Sequence, residues 1–80
     1  MTADSSDTTE FLVALGQRVA GRREVLGISQ RELARRSGLH WSYIATIETG
    51  KRNIGVVNLA RLAGALGYGD AGELLDGLSL

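Results

Sequence analysis

Residues 28–51, ISQRELARRSGLHWSYIATIETGK, decide how this chain folds. Ser29 followed three residues later by Glu32 is a capping box, which satisfies the first free amides of a helix from Gln30 to about Ser37. Leu33 and Ala34 face inward on that helix, and the small Ala34 suits a close crossing of two helices. Gly38 then supplies a turn, with positive φ expected. A second helix runs over about residues 41–49 and is ended by Gly50. It buries Ile44 and Ile47 and leaves Trp41, Ser42, Ala45 and Thr46 on its other faces.

Two short amphipathic helices joined across a glycine, the second polar and mostly uncharged outside, have the layout of a helix-turn-helix over about residues 29–49. In that motif the second helix enters the DNA major groove. On the amino-terminal side, Phe11, Leu12, Leu15, Val19 and Leu26 recur at helical spacing from Thr9 until Gly27 stops the run. Residues 1–8 are short, polar and acidic, and are expected to form a disordered tail ahead of a domain over 9–80. On the carboxy-terminal side, the loop GKRNIG leads to a helix over about 56–66, with Leu59, Leu62, Ala63 and Leu66 on one side and Gly67 as terminator. Asp70 and Glu73 repeat the cap spacing and open a last short helix carrying Leu74, Leu75 and Leu78. No alternating strand pattern occurs, so the fold class is all-α, five helices and no sheet.

Eighty residues make one small domain. The absence of cysteine removes disulfides, thiolate nucleophiles and cysteine metal sites, and fits a reducing cytoplasm. His40 is the only histidine, so a histidine metal cluster or triad has no second member, and no metal or cofactor is expected. No run approaches the roughly twenty apolar residues of a membrane span, and Asp4, Asp7 and Glu10 replace the basic flank of a leader. A cytoplasmic location at the bacterial nucleoid is the expectation. The zero net charge conceals an asymmetry. All nine Lys and Arg residues lie between positions 18 and 61 with only Glu24, Glu32 and Glu48 among them, so that stretch carries +6 and can face phosphate.

Taken together, LGQRVAGRRE, GISQRELARRSGLHWSYIATIETGKRN and NLARLAGALG, within residues 15–66, resemble the Cro/C1-type (Xre) helix-turn-helix of phage repressors and bacterial regulators. The short format and the RN pair after the second helix also resemble restriction-modification controller proteins. The resemblance implies a compact, five-helix, lambda-repressor-like domain that binds double-stranded DNA and regulates transcription. It implies that Gln30 clamps a backbone phosphate at the start of its helix, where free N–H groups meet an anion. It places Trp41, Ser42 and Thr46 where base-reading side chains sit, and Lys51, Arg52 and Asn53 in a loop that touches the backbone, with Asn53 equally open to capping the following turn. It also matches Arg23 and Glu48 to an internal salt bridge.

Some assignments stay open in the residues themselves. Trp41 meets thymine methyls and sugars, tucks back against Tyr43 or the GKRN loop, or binds a protein. His40 is suited to a cap or a phosphate contact, and Tyr43 to a half-buried place with its hydroxyl toward a phosphate. Arg31 extends the stripe of backbone-phosphate contacts, while Arg35 fits that role and plain surface solubility equally. Arg22 either lays its stem over the core or contacts DNA. Leu74, Leu75, Leu78 and Leu80 are more apolar surface than so small a chain easily buries, so they either form a twofold homodimer together with Leu66 at the end of the preceding helix or close over the first helix within a monomer. RNA polymerase or another regulatory protein would be a further partner. The rival reading is a protein-interaction module of antitoxin type, and no assembled enzyme chemistry is visible.

Overall fold

In the computed structural model, which describes residues 5–80, the chain forms α1 (Ser5–Val25), α2 (Gln30–Ser37), α3 (Trp41–Glu48), α4 (Val56–Ala65) and α5 (Ala71–Leu75), with no strand among the described residues. α1 begins at Ser5 rather than at Thr9. The tail expected over 1–8 is therefore helical from residue 5 onward, and residues 1–4 lie outside the described part. Asp7 sits in the first turn, where its carboxylate offsets the positive end of the helix.

Local chemistry sets most of the boundaries. Ser29 accepts from the Glu32 amide to cap α2, His40 accepts from the Ser42 amide to cap α3, and Asp70 accepts from the Glu73 amide to cap α5. Gly38 closes α2 in the left-handed region at φ 76°, its amide donating to the Ala34 carbonyl. The buried Ser37 tightens the same turn, its hydroxyl donating to Ala34 and accepting from the Leu39 amide.

The core is Leu15, Val19, Leu33, Ile44, Ile47, Leu59, Leu62, Ala63, Leu66 and Leu74, gathered from all five helices. α1 packs on α3, α2 on α3 and α4, and α5 on α4 and α1. Two expectations for the apolar residues fail. Leu26 is 38% exposed, because α1 stops at Val25 and the chain turns away through Gly27. Leu66 and Leu74, expected at a dimer face, are fully buried within the chain, since α5 folds back across α4. Leu75 and Leu78 are half-buried against the same cluster. Among the described residues no helix is long and apolar enough to cross a membrane.

Gly16 is what lets α3 sit this close to α1. A Cβ there would run into the Ile47 and Glu48 carbonyl oxygens, 2.8 Å from the latter, whereas a Cβ on Gly38 would meet nothing nearer than 3.8 Å. Gly16→Ala is expected to destabilise the domain by about 1–3 kcal/mol through forced separation of the two helices. Gly38→Ala should cost about 1–2 kcal/mol from its backbone conformation alone. Urea denaturation of both variants, with a DNA-binding assay on the folded fraction, checks the pair. The site behind α3 predicts that only Gly16→Ala also displaces the outer face of that helix.

Candidate nucleic-acid interface

α3 is held by its back. Glu48, at its last turn, takes a bidentate contact from Arg23 of α1, with Nε on Oε2 at 2.7 Å and Nη2 on Oε1 at 3.0 Å. The two side chains are only 16% and 7% exposed. The remaining Arg23 nitrogen donates to the Ile28 carbonyl at 3.0 Å, and the hydrogen bond to Glu48 makes the guanidinium hold its proton more tightly. Gln30 joins the same carboxylate, its Nε2 donating to Glu48 Oε1 at 2.9 Å. One carboxylate thus ties α1, α2 and α3 together. The Gln30 side chain, expected on a phosphate, has its amide turned toward Glu48. At the start of α2, Ser29 takes the Glu32 amide, and helix geometry leaves the Gln30 and Arg31 amides without partners inside the helix, which suits an anion.

The front of α3 carries the predicted reading residues. His40 Nδ1 accepts the Ser42 amide at 3.1 Å and lies 2.7 Å from the Ser42 hydroxyl. With Nδ1 accepting, the neutral ring carries its proton on Nε2 and the Ser42 hydroxyl donates inward. Thr46 is half-buried, and its hydroxyl donates to the Tyr43 carbonyl at 2.8 Å. Trp41 is 41% exposed. It does not fold back on Tyr43 or the GKRN loop. Its ring lies under the Arg31 guanidinium of α2, with 4.7 Å from Cζ to the ring centre, and beside His40 at 5.6 Å between centroids. Tyr43 is half-buried and carries a guanidinium too, that of Arg52, at 5.0 Å. Lys51, Arg52 and Asn53 are exposed on the loop that follows.

Charge on this surface is scarcer than the +6 stretch suggests, because folding turns much of it inward. Arg18 donates to the Leu74 and Asp76 carbonyls at the end of α5. Arg22 donates to the Leu66 carbonyl at 2.9 Å and lies over Tyr68, so it braces the end of α4 and is spent on the fold. Arg35 and Arg36 both bond Glu32. Those bonds, from Arg35 first and then Arg36, pull the Glu32 carboxyl down from 4.5 to about 2. Because the folded value is depressed, this local contribution is complete above the ordinary glutamate range and fades as pH falls toward 2. Among the described residues, Arg31, Lys51, Arg52 and Arg61 have neither an ion pair nor a hydrogen-bond acceptor for their side chains. Arg31 and Arg52 flank α3 on either side, each resting on one of its aromatic rings. The Glu32 pairing was legible as spacing of three and four on one helix. The inward turn of Arg18 and the seating of Arg31 on Trp41 had no local signal.

A capped two-helix motif packed against a first helix, with an exposed second helix flanked by unspent cations, defines a helix-turn-helix DNA-binding protein. The helix-turn-helix family model matches residues 20–72, and the chain belongs to that family, in its Cro/C1-type form. It is 40% identical over 53 residues to the uncharacterized HTH-type transcriptional regulator y4dJ of Sinorhizobium fredii, covering 66% of this chain and 69% of that one. It is 40% identical over 52 residues to the control protein C.SmaI of Serratia marcescens, covering 65% of this chain and 62% of the control protein. Among solved structures, the restriction-modification controller protein C.AhdI from Aeromonas hydrophila superposes with a TM-score of 0.75 at 44% identity, over 79% of this chain and 94% of that one.

Proposed function

We propose that the chain is a sequence-specific transcriptional regulator that binds a palindromic operator as a homodimer. The observation that carries this reading is the outer face of α3, with Trp41 and Ser42 exposed, Thr46 half-exposed and the unspent Arg31 and Arg52 on its two sides. Its likeness to control proteins supports a regulatory role. Lys51, Arg52, Tyr43 and the amino-terminal amides of α2 take phosphates, and His40 offers its Nε2 proton to one more. The protein acts at the nucleoid in the cytoplasm, by blocking RNA polymerase or contacting it, and this reading gives it no catalytic role of its own.

With Leu66 and Leu74 committed to the core, the contact with a partner copy falls on the exposed or half-buried apolar side chains of the last two helices, Val56 and Val57 at the start of α4 and Leu75, Leu78 and Leu80 at the carboxy terminus. A twofold contact that places two α3 helices about 34–36 Å apart reads two inverted half-sites one DNA turn apart.

Selection of bound duplexes from a random pool at physiological salt tests this directly. Enrichment of two inverted half-sites is the expected result, while salt-sensitive binding without enrichment, together with a co-purifying protein partner, would sink the operator reading. On the selected site, Arg52→Ala should weaken binding to all sequences alike and flatten the salt dependence by about one ion. Thr46→Ala should change base preference instead, through loss of the threonine methyl.

A further inference from the structure

The side chains on the outer face of α3 are poor in hydrogen-bond donors. The Ser42 hydroxyl is drawn to His40 Nδ1, and the Thr46 hydroxyl is drawn to the carbonyl of Tyr43. Ala45 offers no polar group, and Trp41 brings a single indole N–H. A guanine edge in the major groove presents two acceptors, O6 and N7, and is read by a side chain with paired donors. Nothing on α3 itself meets that requirement.

Arg31 does, although it belongs to α2. Of the three arginines on that helix, Arg35 and Arg36 spend their donors on Glu32. Arg31 has no acceptor among the described residues, and its guanidinium lies over the exposed Trp41 ring, 4.7 Å from Cζ to the centroid. A cation–π contact gives the guanidinium no oxygen or nitrogen acceptor, so its N–H donors stay available for one. It also restricts a long side chain that would otherwise lose rotamer freedom on binding. Trp41 is the first residue of α3, and the amino-terminal residues of a recognition helix are those that approach base edges. The head of Arg31 is therefore delivered to the reading end of a helix it is not part of.

We infer that Arg31 is a specificity-determining residue that reads a guanine in each half-site, with Trp41 as the platform that positions it. This rests on the operator reading above and replaces the backbone-phosphate role expected for Arg31. It assigns Trp41 an indirect task, so an aromatic ring at position 41 matters more than the indole itself.

The test is selection from a random duplex pool with the full chain and with Arg31→Ala, Trp41→Phe and Trp41→Ala, followed by titration of the selected site and its single-base variants. The full chain is expected to prefer guanine at one position per half-site by about ten- to a hundredfold. Arg31→Ala should abolish that preference and keep the others, Trp41→Ala should reduce it at the same position, and Trp41→Phe should retain most of it. If Arg31→Ala instead lowers affinity for every sequence by one factor and leaves the preferences intact, Arg31 is a phosphate contact and the inference is wrong. If Trp41→Ala changes a preference that Arg31→Ala does not, Trp41 reads the base directly and the inference is equally wrong. A full chain that enriches no sequence overturns the operator reading itself, which separates the two failures.

Discussion

Arg23→Ala is expected to destabilise the domain by about 3–5 kcal/mol, because it strands the nearly buried Glu48 carboxylate without its counter-charge. The Ile28 carbonyl loses its donor in the same change. Domains have total stabilities of roughly 5–15 kcal/mol, so a loss of this size leaves a small one at the margin. The melting temperature should fall by at least about 12 °C. Urea denaturation read by far-ultraviolet circular dichroism measures the loss. Replacing Arg23 and Glu48 together with apolar residues of similar volume should recover a good part of it, since no charge is then left buried. If the single and double replacements cost the same, the stranded-charge explanation is wrong. The double variant also separates stability from position. Gln30 loses its anchor on Glu48 in it, so the folded fraction should bind DNA less well even where stability returns.

Leu74→Ala should cost about 2–5 kcal/mol through the cavity it opens under α5, where Leu74 is fully buried. Its place in the core also predicts how the loss behaves. A residue of the core loses the same free energy at every protein concentration, whereas a residue of a subunit interface shifts a concentration-dependent melting temperature. Unfolding measured across a hundredfold range of concentration distinguishes these outcomes. Val25, 78% exposed at the end of α1 and outside the proposed dimer contact, serves as the control, and its alanine variant should stay within about 0.5 kcal/mol of the parent. A Leu74→Ala variant whose only defect is weaker self-association would return that leucine to the interface.

Leu66 and Leu74 illustrate where reading the chain residue by residue runs out. Their helical spacing marks them as apolar-face positions, but an apolar face has the same pattern whether it meets its own chain or another. The choice depends on the return of α5 across α4, which Arg18 secures by donating to the Leu74 and Asp76 carbonyls at 3.0 and 2.9 Å. The basic stretch shows the same limit. Counting charge between positions 18 and 61 overstates the cations that the fold leaves free, because the count is blind to which side chains point inward.

The start of α1 departs from expectation for a different reason. An acidic, polar segment lacks the apolar surface to order itself, yet Ser5–Val25 is one continuous helix. A helix already nucleated downstream adds residues at little further cost, and Asp7 near its amino terminus favours the extension.

What the chain determines by itself is the set of helices and the motif they make. Ser29, His40 and Asp70 cap α2, α3 and α5 through neighbours two or three residues away, and Gly38 closes the turn through a bond to Ala34. These are short-range hydrogen bonds and backbone preferences, which a linear reading can follow. The tertiary structure alone decided which groups remain for the DNA. Arg22 and Arg18 find their carbonyl partners 44 and 58 residues along the chain, Arg23 meets Glu48 at a separation of 25, and Arg31 settles on Trp41 across the turn. Whether a charged side chain is spent or free depends on partners that only packing brings within reach.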